Sequence, residues 1–212
     1  MAKRRILVVD NPNERRILRA KAKKVSRYDA YLGRLVSDMW ETMREAPGVG
    51  LAAPQVGESI RVLVAEYEGE AVALVNPEIL KRSEQEEFGQ EGCLSIPGFI
   101  GEDVPRASAV SIKARDPRGK EIRVKADGWF ARILQHEIDH LDGILYTDRI
   151  APDQVREVTA DDIEPEGAPP PEKPDHKAKQ DGKQDGKQDG KQDGKQARGS
   201  RSATSAVAGG EA

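Results

Sequence analysis

Residues 135–143 read Gln135-His-Glu-Ile-Asp-His-Leu-Asp-Gly143, and they hold two of the chain's three histidines. His136 and His140 stand four positions apart, a spacing that stacks both imidazoles on one face of a helix. Glu137 is turned by about 100° from His136 around the axis, so its carboxylate reaches a ligand held by the pair without joining it. This is the His-Glu-x-x-His arrangement of metal-dependent hydrolases: neutral imidazoles hold a divalent cation and the carboxylate moves protons for water activated there. A buried helix with incidental histidines would show the same pentapeptide, so the surrounding chain has to decide.

That surrounding sequence predicts a helix. Phe130, Leu134, Ile138 and Leu141 recur at helical spacing as an apolar stripe. The histidine face adjoins this stripe, so a site there is partly walled from water. Asp127 is placed to accept hydrogen bonds from the first free amides, and Gly143 to end the helix.

Two ligands leave a third to find. A downstream Glu157 or Glu164 is one option, while a third histidine three beyond Gly143 fails because Tyr146 stands there. The other is Cys93, the single cysteine of the chain, which has no partner for an internal disulfide. A thiolate is a strong ligand for zinc or ferrous iron. Cys93 lies in Glu91-Gly-Cys-Leu-Ser-Ile-Pro-Gly98, bounded by glycine and proline as a tight turn requires. A lone cysteine is by itself most simply a small buried hydrophobe. Beside His136, His140 and Glu137, the ligand reading is preferred.

The chain has 212 residues and a formal net charge of -3, from 34 Lys+Arg against 37 Asp+Glu. That length supports one sizeable core, and the balance gives no argument for DNA. The apolar run Ile6–Val9 after the basic start is too short for a signal peptide, and no stretch approaches a membrane span. A cytoplasmic protein with a reduced thiol is the expectation.

In chain order, Ile6–Val9 is a short extended piece leading into a turn at Asn11-Pro12-Asn13. The basic run from Arg15 to Lys24 reads as a solvated face. Ser26 and Asp29 open a helix as a capping-box-like pair, and Tyr31, Leu32, Leu35, Val36, Met39, Trp40 and Met43 give it a broad apolar stripe. It stops before Pro47-Gly48. In Gly48-Val-Gly-Leu-Ala-Ala-Pro-Gln-Val-Gly57, small residues between glycines point to backbone running close to a ligand. Gln55 there needs a polar partner if buried.

Strands are expected at 60–65 and 71–75 around a turn at 66–70, with Asn76-Pro77 ending the second. Residues 83–90 form an acidic solvent-facing strand or loop. Residues 109–115 and 120–126 alternate cleanly about Asp116-Pro-Arg-Gly119 as an antiparallel hairpin. The fold class is α+β, with mostly antiparallel sheets packed around a central metal-binding helix and an N-terminal helix. A domain over 1–158 is expected, followed by a 159–212 low-complexity tail. There Lys-Gln-Asp-Gly repeats four times from Lys179 to Gly194, a composition that cannot repay ordering. His176 falls in it and is a poor ligand.

Three stretches, Gly48–Gln55, Glu91–Ser95 and Gln135–His140, resemble the three ordered motifs of the bacterial peptide deformylase family. The resemblance covers about residues 5–158. It implies that Cys93, His136 and His140 bind one divalent metal, Fe2+ in cells with Zn2+ or Ni2+ as alternatives. It further implies that Glu137 is the acid/base, and that Gln55 and the backbone amide of Leu94 polarise a formyl carbonyl. Arg106 matches a family arginine that serves local charge or shape. The implied reaction is hydrolysis of the N-formyl group from formylmethionyl nascent chains, releasing formate, by a cytoplasmic monomer in transient proximity to the ribosome. Val49, Gly50, Leu51, Ile133 and Leu134 are the candidates for a methionine pocket. Two features depart from the family pattern: Ala46-Pro47 before the first motif, and an acidic Pro-rich stretch where some members carry a C-terminal docking helix. A general zinc endopeptidase and a purely structural metal site are the alternative readings. The first requires a different third ligand, the second an inert Glu137.

Overall fold

The computed structural model describes residues 2–159 and Asp162. The Lys-Gln-Asp-Gly stretch and His176 lie outside the described residues.

The chain opens with α1 (Pro12–Leu18), where a turn was expected. Asn11 caps it, its side chain accepting from the amides of Asn13 and Glu14, and Pro12 fills the first turn where no amide is needed. The long helix α2 (Ala30–Glu45) follows. Asp29 alone caps it, accepting from Tyr31 N and Leu32 N at 3.1 and 3.2 Å. Ser26 lies outside the helix, and the third helical position is Leu32, so the expected capping box does not form.

Five antiparallel strands make the main sheet, in the order β1-β2-β3-β6-β7. They are β1 (Gly50–Ala52), β2 (Val62–Tyr67), β3 (Glu70–Arg82), β6 (Ala109–Arg115) and β7 (Glu121–Asp127). Between β3 and β6 in sequence run β4 (Glu86–Cys93) and β5 (Ile96–Ala107). With β8 (Val155–Glu157) they form a second sheet, ordered β4-β5-β8. The helix α3 (Gly128–Asp142) carries the histidines.

The main sheet lies between two helices, which explains why residues 62–65 are all apolar. Alternate side chains of a strand face opposite ways. Leu63, Ala65 and Leu74 pack with Phe130, Leu134, Ile138 and Leu141 of α3. Val62, Val64 and Val75 pack with Leu32, Leu35, Val36, Met39 and Met43 of α2. Each fully buried leucine contributes about 1.5–3 kcal/mol, so α3 is fixed along its whole length. Tyr31 and Trp40 of the expected α2 stripe lie at its edge, exposed and half-buried respectively.

Asn76-Pro77 does not end the second strand. β3 continues to Arg82 through a register shift between Val75 and Glu78, with Asn76 at φ 53°. Asparagine tolerates this left-handed conformation, and its carboxamide bonds both the amide and the carbonyl of Val25 at 2.8 Å. Asp127 sits at the N-cap of α3 without a side-chain cap bond, because its backbone still belongs to the β7 ladder. The first helical amide, Gly128 N, donates to Ser108 O instead at 2.8 Å. Gly143 ends α3 at φ 75° as expected.

Candidate metal and active site

α3 brings Trp129, Ile133, His136 and Glu137 to one wall of a groove of about 430 Å³. Their spacing of four, seven and eight residues is that of a single helical face. The β1 edge supplies Val49 and Gly50 to the same groove, and the β4–β5 turn supplies Cys93, Leu94 and Ile96. Cys93 pairs with Ile96 across the two-residue turn Leu94-Ser95, so the expected turn is the tip of a hairpin. Of the expected pocket residues, Leu51 and Leu134 do not line the groove and are wholly buried. Strand alternation turns Leu51 toward α2, and one step along α3 turns Leu134 toward the sheet.

Cys93, His136 and His140 meet with their ligating atoms within 4.8 Å of one another. Cys93 Sγ lies 3.2 Å from His140 Nε2. Glu157 does not belong to this cluster, and Glu164 lies outside the described residues. Burial pushes the Cys93 thiol up, but the His140 and His136 rings outweigh it and bring it down to about 5. His136 is drawn well above its ordinary value: burial opposes this, and Cys93 and Glu91 prevail. A thiolate and an imidazole that both favour positive charge at their meeting point fit a divalent cation.

Glu91, two residues before Cys93 on β4, is a site residue without a role in the sequence motifs. It is buried at 6% exposure and accepts from His136 Nδ1 at 2.8 Å. That bond turns Nε2 toward the thiolate. Arg106 grips Glu91 with two nitrogens at 2.7 and 2.8 Å, and Arg132 adds a bond at 2.9 Å. Burial raises the Glu91 carboxyl, yet Arg106 and His136 bring it to about 2, so it stays an acceptor. Arg106 also reaches Asp139, which Arg149 holds through two bonds of 2.6 Å. Arg106 thus joins the second motif to α3 inside the core. The signal for Glu91 was two-residue alternation, which places it with Cys93 on one face of β4.

Glu137 is 4% exposed and its Oε2 is buried without a protein hydrogen-bond partner. Burial pushes it up to about 7 against the pull of His136 and His140. A Cβ on Gly50 would strike this carboxylate, lying 2.8 Å from its Cδ, so only glycine lets β1 pass so close. Gln55 is 2% exposed; its Oε1 accepts from Ala52 N at 2.8 Å. That leaves Nε2 directed at Ser95 Oγ, 3.3 Å away, and at Cys93 Sγ, 3.7 Å away. Leu94 follows the cysteine directly, its side chain packed against Gly48.

A largely buried Cys/His/His cation site beside a carboxylate with one oxygen lacking a partner among the described residues, set in an α+β frame, defines a metal-dependent hydrolase. The sequence matches the family described as polypeptide deformylase over residues 3–156. A peptide deformylase of Symbiobacterium thermophilum is 50% identical over 164 residues, 76% of this chain and 73% of that protein. The crystal structure of a peptide deformylase from Legionella pneumophila is similar at TM-score 0.67 and 44% identity, covering 72% of this chain and 89% of that one. That of Thermotoga maritima peptide deformylase gives TM-score 0.67 and 41% identity, covering 72% of this chain and 100% of that one. The chain belongs to the peptide deformylase family, and it is a metal-dependent hydrolase that removes the N-formyl group from formylmethionine.

Proposed function

We propose that Glu137, Gln55 and the backbone amide of Leu94 divide the chemistry of deformylation between proton transfer and charge stabilisation. A divalent ion held by Cys93, His136 and His140 supplies Lewis acidity and makes water ionisable near neutral pH. Glu137 takes the proton released as water attacks the formyl carbon, then delivers it to the departing α-amine. Gln55 Nε2 and the Leu94 N–H donate to the formyl oxygen as negative charge develops there. The methionine side chain enters the groove beside Val49, Gly50 and Ile133, with Trp129 as a further wall. A tight pocket at the reacting carbon would admit a formyl hydrogen and disfavour larger acyl groups.

The observation carrying this reading is the placement of Glu137: buried, with Oε2 lacking a hydrogen-bond partner among the described residues, and adjoining the three ligands. A general base must first lie within reach of the proton it takes. Replacing Glu137 by Gln should leave one equivalent of metal bound and lower formate release from a formyl-Met peptide by about 10²–10⁴-fold. Near-normal turnover in that variant would overturn the assignment.

The thiolate–imidazole donor set suits ferrous iron, our proposed ion, and also accommodates Zn2+ or Ni2+. The proposed setting is a cytoplasmic monomer meeting formylated nascent chains near the ribosome. A low-pKa thiolate that is only partly buried favours a reducing compartment. We place the end of the catalytic domain near residue 158. A chain ending at Glu164 keeps every residue assigned above and should release formate at the full rate.

A further inference from the structure

The segment preceding α1 takes no part in the chemistry above, yet it bonds to both walls of the site. Leu7 N–H donates to Gln55 O at 2.8 Å, and Val9 N–H donates to Ser95 O at 3.0 Å. Between them Val8 N–H points the other way and donates to Glu14 Oε2 at 2.8 Å. Partners alternate as they do along an extended chain, where successive amides face opposite sides. One side of this strap therefore ties the first motif to the second, and the other is held by a single carboxylate.

Glu14 is built to hold it. The residue is 6% exposed, and its Oε1 takes bonds from Arg5 Nη2 at 2.6 Å and Asn11 Nδ2 at 2.9 Å. It stands on α1, anchored by the fully buried Leu18. The Arg5 bond and the Val8 amide keep its carboxyl below the usual range, so it remains a charged acceptor. On the far side of the strap, Gln55 presents Nε2 to the site while Ser95 N–H donates to Cys93 Sγ at 3.4 Å. The strap thus fixes the main chain of two residues, one carrying the carbonyl-polarising amide and one supporting the metal thiolate.

We propose that Glu14 is a positioning residue for deformylation: by holding Val8, it fixes Gln55 relative to the Cys93–Ser95 turn. This rests on the reading of Gln55 as an oxyanion donor. Glu14 touches neither substrate nor the groove, so its loss should spare substrate binding and slow the chemical step. Displacement of a donor by a fraction of an ångström reduces kcat, with KM unchanged, by about tenfold.

The test is a double-mutant cycle on the full chain carrying one equivalent of metal, with a short formyl-Met peptide. Glu14→Ala should lower kcat about tenfold and leave KM within about twofold. Glu14→Gln should recover most of the loss, since its Oε1 still accepts from Val8 N–H. Gln55→Ala should lower kcat about 100-fold. Adding Glu14→Ala to it should cost less than about threefold more, because the residue it positions is gone. Should Glu14→Ala fail to fold, Val8→Pro removes the donor with Glu14 in place and enters the same cycle. The proposal is overturned if Gln55→Ala slows turnover while Glu14→Ala does not. It is equally overturned if Glu14→Ala costs the same factor with and without Gln55. An unchanged kcat in Gln55→Ala would instead remove the oxyanion reading itself.

Discussion

His136 Nδ1 donates to Glu91 Oε2 across 2.8 Å, and that bond decides which ring nitrogen faces Cys93. The carboxylate is in turn locked by Arg106 of β5 and Arg132 of α3, so a ligand on α3 is oriented through a strand residue 45 positions away in sequence. Loss of such an outer partner typically weakens metal binding by about 10–100-fold. Glu91→Gln should show that loss in a chelator competition, together with reduced stability from uncompensated Arg106. Unchanged metal affinity would mean that the orientation of His136 is set elsewhere.

Arg106 gives a second expectation. It is 3% exposed and bridges Glu91 and Asp139, two carboxylates with no water-facing escape. Removing one partner of a buried charge network costs about 3–5 kcal/mol. Arg106→Ala should therefore unfold at much lower denaturant with the m-value unchanged, and Arg106→Lys should recover only part. A midpoint within error of the parent would contradict a structural role for this network.

Much of this site was legible in the sequence, because its spacing is local. His136, Glu137 and His140 are fixed by helical geometry, and Cys93 was favoured by the scarcity of other ligands. Glu91 was legible only as a same-face neighbour of Cys93; its role was not, because its arginines lie 15 and 41 residues away and meet it only through packing. The strand β5 was hidden by Pro97, Gly98, Gly101 and Pro105. Pro105 is tolerated because β8 reaches only Phe99–Gly101, so β5 has no second neighbour there. α1 carried a readable signal, Asn11 followed by Pro12, which also describes a turn. The buried Leu18 decides between them.

Gly50 makes a third prediction. An added methyl group would meet the Glu137 carboxylate, the flexible end of a side chain, rather than backbone. Gly50→Ala should fold and bind metal normally while displacing Glu137, lowering kcat by about 100-fold. A variant with full activity would show that the carboxylate works from another position.

Acid should release the N-terminal strap. The Glu14 carboxyl is lowered by Arg5 and Val8 N–H, and that of Asp38 by Ala2 N–H and Arg4. Depressed folded-state values add stability that is complete above the unfolded carboxylate pKa of roughly 4 and lost as pH falls through the folded values. The Tm difference between the parent and Glu14→Gln should hold steady from about pH 7 to 5 and shrink below about pH 4. A difference that persists undiminished into stronger acid would show that the ion pair contributes nothing.

Removal of a formyl group by this chain should require one cation, held by Cys93, His136 and His140. Its most direct test is to titrate the metal-free full chain anaerobically with Fe2+ and follow formate release from formyl-Met and acetyl-Met peptides. Formate release should rise linearly and saturate at one equivalent per chain, the acetyl peptide should stay intact, and Cys93→Ser should remain inactive at that equivalent. Full deformylation by metal-free protein, or by Cys93→Ser with one equivalent of iron, would rule out that requirement.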